Sequence, residues 1–479
     1  MADKKIVNSE IAPLMFEYFE EICKIPHGSD NEAEIANYIA DFAKERGLEY
    51  YKDEANNVLV RKAATAGREN EEYLLLQGHT DMVCEKDGNV KHDFTADPLK
   101  LYIENGFLRA KGTTLGADDG IAVAAMLAIL DGALSSHPPI ECLFTAGEEI
   151  GMIGAGKFDF SQIKSRRMIN IDSETEGKAV VGCAGGVRSE LVLPINRVAK
   201  KGDCLRVKLG GLAGGHSGED INKGRLNANR LMGRLLTELS QKLDVKISSV
   251  NGGSKDNAIP RECVAEIAVP DFFEALYAIE NIAKIFSKEI SKDDNGFFCT
   301  VEHCEFDSVL DEDSENKLML SINNTPCGVI EMSLDVEGLV EWSANLGVIE
   351  TRDSEVKLVF LTRSGIDDRI DYSIHALDRF AKALGGEVGH FGRYTGWSYA
   401  KVSPIREAYL DAFKALFGKD AGCEIIHAGL ECGLIRANIP DMDIISIGPN
   451  IIALHSPGEK LEIASAERLW TLLEYMLGR

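Results

Sequence analysis

The sequence predicts an α/β fold: a central mixed, mostly parallel sheet flanked by helices, interrupted by an inserted α+β domain. Three observations carry this expectation. The chain has 479 residues, beyond the ~250 to 300 at which one hydrophobic core usually stops growing, so two domains are expected. Strand and helix patterns alternate through residues 1–186 and return over 391–479, as in βαβ units on a parallel sheet. Between them, after the run Gly182-Cys183-Ala184-Gly185-Gly186, the pattern over 187–390 is α+β. The first domain is therefore predicted to be discontinuous, with the insert at 187–390 between its two parts and the glycine run as a hinge.

In chain order, the apolar spacing predicts helices over 16–25 and 32–45, then strands over 58–60 and 74–77. Residues 117–130 read as a helix apolar on nearly every face, as expected of one packed against a sheet beneath other elements. Strands follow at 140–145 and 168–171. In the insert, strands are predicted at 204–209, 245–250, 263–269, 297–303, 328–334 and 357–362, with helices at 227–243, 272–290 and 371–384. The last part offers a helix at 405–417, strands at 423–426 and 444–447, and a closing helix at 465–477.

Composition removes several classes of function. The 77 acidic residues exceed the 52 basic ones, for a formal charge of -25, which repels phosphate backbones and anionic membranes. No nucleic acid or membrane partner is expected. The apolar run from Ile121 to Leu130 is far too short to span a bilayer, which takes roughly 20 residues. Eleven cysteines without a CxxC pair fit reduced thiols in the cytoplasm. The opening segment is amphipathic and lacks the continuous apolar stretch of a signal peptide. The basic group Lys157, Lys164, Arg166 and Arg167 reads as solvated surface.

Acidic and imidazole side chains recur where the predicted strands end: His79 and Asp81 after 74–77, Glu148 and Glu149 after 140–145, Asp172 after 168–171. Asp118 and Asp119 stand in a Gly-flanked turn before the buried helix, and His455 lies near the end of the chain. In open α/β sheets ligands bind at that edge of the strands. Imidazole and carboxylate are the donors of catalytic zinc, and five ligands serve two ions if one carboxylate bridges. Asp118 is the candidate bridge, with Gly116 and Gly120 allowing close approach of the backbone. On an extended chain His79 and Asp81 share a face, so Asp81 is expected to take the second ring N–H of a metal-bound His79. Glu149 is assigned to metal and its diverging neighbour Glu148 to general base.

These residues lie in stretches that jointly resemble one family. QGHTDMVCEK from Gln77, GTTLGADDGIA from Gly112, FTAGEEIGMIGA from Phe144, NIDSETEG from Asn170, GGHSGEDI from Gly214, HAGLECG from His427 and GPNI..LHSPGE from Gly448 are similar to the aminoacyl-histidine dipeptidases, among the dinuclear zinc peptidases that include carnosinase, aminoacylase and carboxypeptidase G. The resemblance implies a catalytic domain with an inserted α+β lid and dimerisation domain, and two divalent ions, zinc first with manganese or cobalt as alternatives. His79, Asp118 and Asp172 would hold one ion and Asp118, Glu149 and His455 the other, with Asp81 orienting His79, Glu148 as base and a cis peptide after Asp118. A metal-bridging hydroxide would attack small unblocked dipeptides, including Xaa-His. By the same resemblance His216 of the lid would reach the scissile carbonyl, in its own subunit or the partner's, within a homodimer. Asn257, Arg363, His427 and Glu431 are candidates for gripping the substrate, Arg363 at its carboxylate and Glu431 at its ammonium group. Two other readings stay open: an N-acyl amino acid deacylase on the same site, and a non-catalytic peptide-binding protein.

Overall fold

The computed structural model describes residues 5–334 and 336–479, and it divides the chain into two compact units. One comprises residues 1–182, 399–425 and 430–479; the other comprises 183–398 and 426–429. The sequence pattern alone placed these joins at 186/187 and 390/391. They lie elsewhere because strand Lys178–Cys183 completes the first sheet, whereas Gly185–Pro194 and Glu387–Tyr394 pair within the second. Residues 426–429 join the second unit, where the carbonyls of Ile426 and Ala428 accept the N–H of Ala184 at 3.1 and 3.0 Å.

In the first unit the sheet has eight strands among the described residues, in the order Glu49–Lys52, Val58–Lys62, Ile140–Thr145, Leu74–His79, Arg167–Asn170, Asp443–Ser446, Lys178–Cys183 and Gly422–Ile426. The four middle strands run parallel, and antiparallel pairs flank them. Register sets His79 beside Thr145 and Gln77 beside Asn170, so the loops after these three strands leave one edge together. Strand Asp443–Ser446, distant in sequence, pairs with Arg167–Asn170 and is the fourth of the parallel strands.

Helix Ala117–Leu130 lies behind these strands with all of its residues buried except Asp118, which is partly exposed. Its apolar side chains share one core with the opening helix Pro13–Ile22 and the closing helix Ile463–Leu477. Among the elements that escaped the sequence reading are the edge strand Glu49–Lys52, the helix Glu431–Asn438, and a small sheet whose hairpin, Leu101–Glu104 with Phe107–Ala110, joins Lys460–Glu462 and Ile451–Ile452. These strands are too short to show an alternation.

The second unit is an antiparallel sheet of nine strands among the described residues, covered by helices Ala228–Ser240, Phe272–Glu289, Glu312–Asn324 and Asp367–Ala383 around their own core. Asn227, read as the first helical residue, is instead the cap of Ala228–Ser240. Its side chain accepts the N–H of Asn229 and of Arg230 at 3.0 and 3.2 Å, satisfying donors that the helix cannot.

Candidate metal centre

All the expected ligands lie in the first unit, at the edge where the parallel strands end. His79 is the last residue of its strand and is buried. Its Nδ1 lies 2.9 Å from the backbone carbonyl of Asp81 and so carries the proton, leaving Nε2 free to face outward. That Nε2 stands 3.0 Å from Asp118 Oδ1 and 3.7 Å from Asp172 Oδ1. The strand can come this close to the Asp118 turn because residue 78 is glycine: a Cβ there would lie 2.3 Å from Asp119 Oδ2 and 2.7 Å from the Ala122 Cβ. Asp119 Oδ2 in turn accepts the N–H of His79 at 3.2 Å.

Asp118 occupies a break in the helix, with φ -85 and ψ 105, preceded by the left-handed Gly116 at φ 67. The Asp118–Asp119 peptide is cis, the form that the family resemblance implies. Gly120 has another reason than approach to the ions: a Cβ there would crowd Phe19 and Ile22 of the opening helix at 3.3 Å. The two Asp118 oxygens face different imidazoles, Oδ1 toward His79 Nε2 and Oδ2 toward His455 Nε2 at 3.3 Å. His455 Nε2 is also 3.0 Å from Glu149 Oε1.

Two expectations change in their physical reason. The Asp81 carboxylate lies 3.5 Å from His79 Nδ1, beyond the carbonyl of the same residue, and its strong bonds go elsewhere. It accepts the Ser29 hydroxyl at 2.8 Å and the N–H of Glu148 and Glu149 at 3.0 and 3.2 Å. Glu148 and Glu149 are not extended: the Glu148 carbonyl accepts the N–H of Gly151 and of Met152, both at 2.9 Å, making a turn that Asp81 holds from below. Another carboxylate, given no role from the sequence although it closes the LHSPGE stretch, is Glu459, which accepts the N–H of Leu115, Gly116 and Ala117.

Charge is concentrated here. Burial works against a charged His79, but the Asp118 carboxylate at 3.0 Å, the Asp81 carboxylate at 3.5 Å and the charge of Asp172 raise its pKa well above that of free imidazole. Hydrogen bonds to Asp118 and Glu149 lift His455 to about 10. Burial opposes ionisation of Asp118, yet His455 and His79 hold it below the usual carboxylate range. Burial pushes Glu148 up to about 8, helped by the charges of Glu431, Glu149 and Asp118 and opposed by His79. Burial likewise raises Asp172, with Asp119 and Asp118 adding to it. Without cations, this cluster retains protons that bound cations would displace.

The donors fit two ions. Ligand atoms of His79, Asp118 and Asp172 all lie within 4.8 Å of one another, as do those of Asp118, Glu149 and His455, and Asp118 belongs to both groups. Glu149 Oε1 is buried and faces His455 Nε2 at 3.0 Å, two donor atoms that one cation would satisfy together. His79, Glu148 and Glu149 form a further close group, so proximity to His79 does not separate the two glutamates; the 3.0 Å approach of His455 to Glu149 does.

Glu431 departs from the sequence reading. Rather than facing a substrate ammonium group, it is fully buried, and its Oε2 accepts from Gln77 Nε2 and Thr145 Oγ1, both at 2.6 Å. Burial raises it to about 7. The Gln77 side-chain oxygen accepts in turn from Asn170 at 2.7 Å, so a buried polar chain ties the ends of the strands together.

The other lid candidates gather in the second unit. His216 pairs with Ala258, beside Asn257, and the Asn257 carbonyl accepts the N–H of Ser217 at 2.9 Å. Arg363 is buried; its Nη1 donates to the Tyr394 hydroxyl at 2.6 Å and its Nη2 lies 3.4 Å from His216 Nε2. His427 Nε2 lies 2.7 Å from Ser343 Oγ. Burial, with the charges of Arg363 and His216, lowers His427 to about 3. Tyr394 and Ser343 carried no sequence signal, since each gains meaning only through its neighbour across strands.

Comparison with known proteins places this geometry. Residues 207–294 match the family model of a peptidase dimerisation domain, and residues 57–201 that of peptidase family M28. The chain is 40% identical over 475 residues, 98% of each chain, to the cytosol non-specific dipeptidase of Escherichia coli (strain K12). It is similar to the crystal structure of aminoacylhistidine dipeptidase from Vibrio alginolyticus, with a TM-score of 0.89, 38% identity and 98% of each chain covered. Human carnosine dipeptidase 1 shares the fold, with a TM-score of 0.51 and 12% identity over 97% of this chain and 96% of that one. Among the described residues no helix is long and apolar enough to cross a membrane.

Proposed function

This chain belongs to the family of the cytosol non-specific and aminoacylhistidine dipeptidases, and from that premise we propose that it hydrolyses small unblocked dipeptides, Xaa-His such as beta-alanyl-histidine among them. The observation that carries the reading is Asp118, whose two oxygens face the two imidazoles of His79 and His455 within two overlapping ligand groups. His79, Asp118 and Asp172 would hold one cation and Asp118, Glu149 and His455 the other, zinc by donor type. When bound, the ions supply Lewis-acid polarisation of the scissile carbonyl and of water.

The chain's own residues do the rest. Glu148 takes a proton on its carboxylate and returns it to the leaving nitrogen, and the Asp81 carboxylate fixes the turn from which it acts. His79 is locked by its Nδ1 proton on the Asp81 carbonyl, which keeps Nε2 as the donor atom. In the lid, His216 donates to the developing oxyanion and Arg363, steadied by Tyr394, takes the terminal carboxylate in a fork. His427 and Asn257 line the same substrate region. A homodimer is supported by the match to a dimerisation domain, and a cytoplasmic setting by the relative's name.

The test is metal analysis of the purified protein beside a substrate panel of carnosine, Gly-His, other dipeptides and N-acetyl amino acids. The reading requires metal-dependent cleavage of free dipeptides. Faster cleavage of N-acetyl amino acids would reassign the chain to deacylation, and absence of metal and of turnover would leave a peptide-binding protein.

A further inference from the structure

Glu459 is buried and has no place in the ligand set, yet it spends its whole carboxylate on one stretch of backbone. Its Oε2 accepts the N–H of Leu115 at 2.7 Å and of Gly116 at 3.1 Å, and its Oε1 accepts the N–H of Ala117 at 2.8 Å. These are the three amides before Asp118. They lie where the helix starts and then breaks, with Gly116 left-handed and Asp118 outside helical geometry, so the helix supplies them no acceptor. A local cap would satisfy one or two such donors. Here a side chain over 340 positions away satisfies all three, and it stands four residues after His455.

We propose that Glu459 is a positioning residue of the metal centre: it ties the loop carrying His455 to the turn carrying Asp118 and so sets the spacing of the two ligands that close the second site. The proposal rests on the metal-centre reading above. His455 needs such a restraint because its side chain is half exposed and its backbone is left-handed at φ 56. Packing alone therefore does not fix its distance from Asp118.

The test titrates zinc into metal-free wild-type protein, Glu459→Gln and His455→Ala in competition with a chromophoric chelator, with circular dichroism to check the fold. Glu459→Gln keeps size and one acceptor oxygen but turns an NH2 toward amide donors. Expected is a folded variant in which the more weakly held ion loses about 10- to 100-fold in affinity, the range for residues that orient ligands, in the direction of His455→Ala. A folded Glu459→Gln that binds both ions within about threefold of wild type overturns the proposal, because a purely structural cap would lower thermal stability and leave affinity alone. Should Glu459→Gln fail to fold, Glu459→Asp is read the same way, and amide exchange of the metal-loaded wild type decides independently: residues 115–117 must be protected, and open-loop exchange there overturns the proposal. A wild type that binds no zinc removes the metal-centre reading itself; two ions bound by wild type with an unchanged variant remove only this inference.

Discussion

Replacing Asp81 by Asn tests whether this carboxylate acts through the turn of the general base or through the ring of His79. The wild-type side chain accepts three hydrogen bonds, from Ser29, Glu148 and Glu149. An Asn oriented with its oxygen toward the N–H of Glu148 keeps that bond. The Ser29 hydroxyl can reverse and accept from the new NH2, so the N–H of Glu149 is the one donor left facing another donor. A lost charge-assisted bond costs about 1.5 to 3 kcal/mol, and if the whole loss falls on the transition state, kcat drops about 10- to 150-fold. KM should hold, because the turn does not belong to the lid. His79 keeps its Nδ1 bond to the backbone carbonyl, so the ion held by His79, Asp118 and Asp172 should stay bound. The assay is steady-state hydrolysis of a Xaa-His dipeptide at saturating zinc, with metal content measured on the same sample. Full zinc and kcat within about threefold of wild type would refute the argument; loss of the His79 ion with little change in kcat per bound metal would return Asp81 to the role of orienting the ring.

Further outcomes follow from the same geometry. Glu148→Gln should retain both ions and lose kcat by roughly 10²- to 10⁴-fold, the usual worth of a general base, read by metal analysis and turnover together; near-normal turnover removes the assignment. Zinc binding should release protons, since His79, His455, Glu148 and Asp172 all hold theirs more tightly without cations; affinity then weakens as pH falls, and calorimetry in buffers of different ionisation heat must give different apparent enthalpies. His427, lowered from 6.5 to about 3 in the fold, contributes stability that is present above pH 6.5 and is lost as pH falls toward 3. The slope is at most about 1.4 kcal/mol per pH unit, and His427→Gln should flatten it in urea unfolding curves taken between those limits. Gly78→Ala should destabilise by about 1 to 3 kcal/mol through overpacking against Asp119 and Ala122; unchanged urea unfolding would show that the strand and helix yield without strain.

Most ligand positions were legible because they follow an apolar run, where a carboxylate or imidazole needs a partner; Asp118 was read instead from its Gly-flanked turn. That is why His79, Asp118, Glu149, Asp172 and His455 could be read before any coordinates, and why the middle strands of the first sheet were found. What escaped depends on tertiary contact. The Asp81 side chain reads as a ring partner from its two-residue spacing, but the backbone carbonyl of the same residue lies closer to Nδ1, at 2.9 against 3.5 Å. The Glu148-Glu149 pair reads as extended until the tight turn is seen. Glu459 and Glu431 bond to residues hundreds of positions away, and no periodicity records such a pairing. Gly120 was read as letting the backbone approach the ions, whereas the packing shows the opening helix lying against it.

The parallel pairing of Asp443–Ser446 with Arg167–Asn170 has a consequence for biosynthesis. A growing polypeptide that has passed residue 172 already holds four of the five donors, but the fifth, His455, emerges from the ribosome only after the whole insert has been made. Until then the nascent protein owns an incomplete ion trap and no working chemistry, so hydrolytic competence arrives as one late event, when the final segment slots in beside a strand translated nearly three hundred residues earlier.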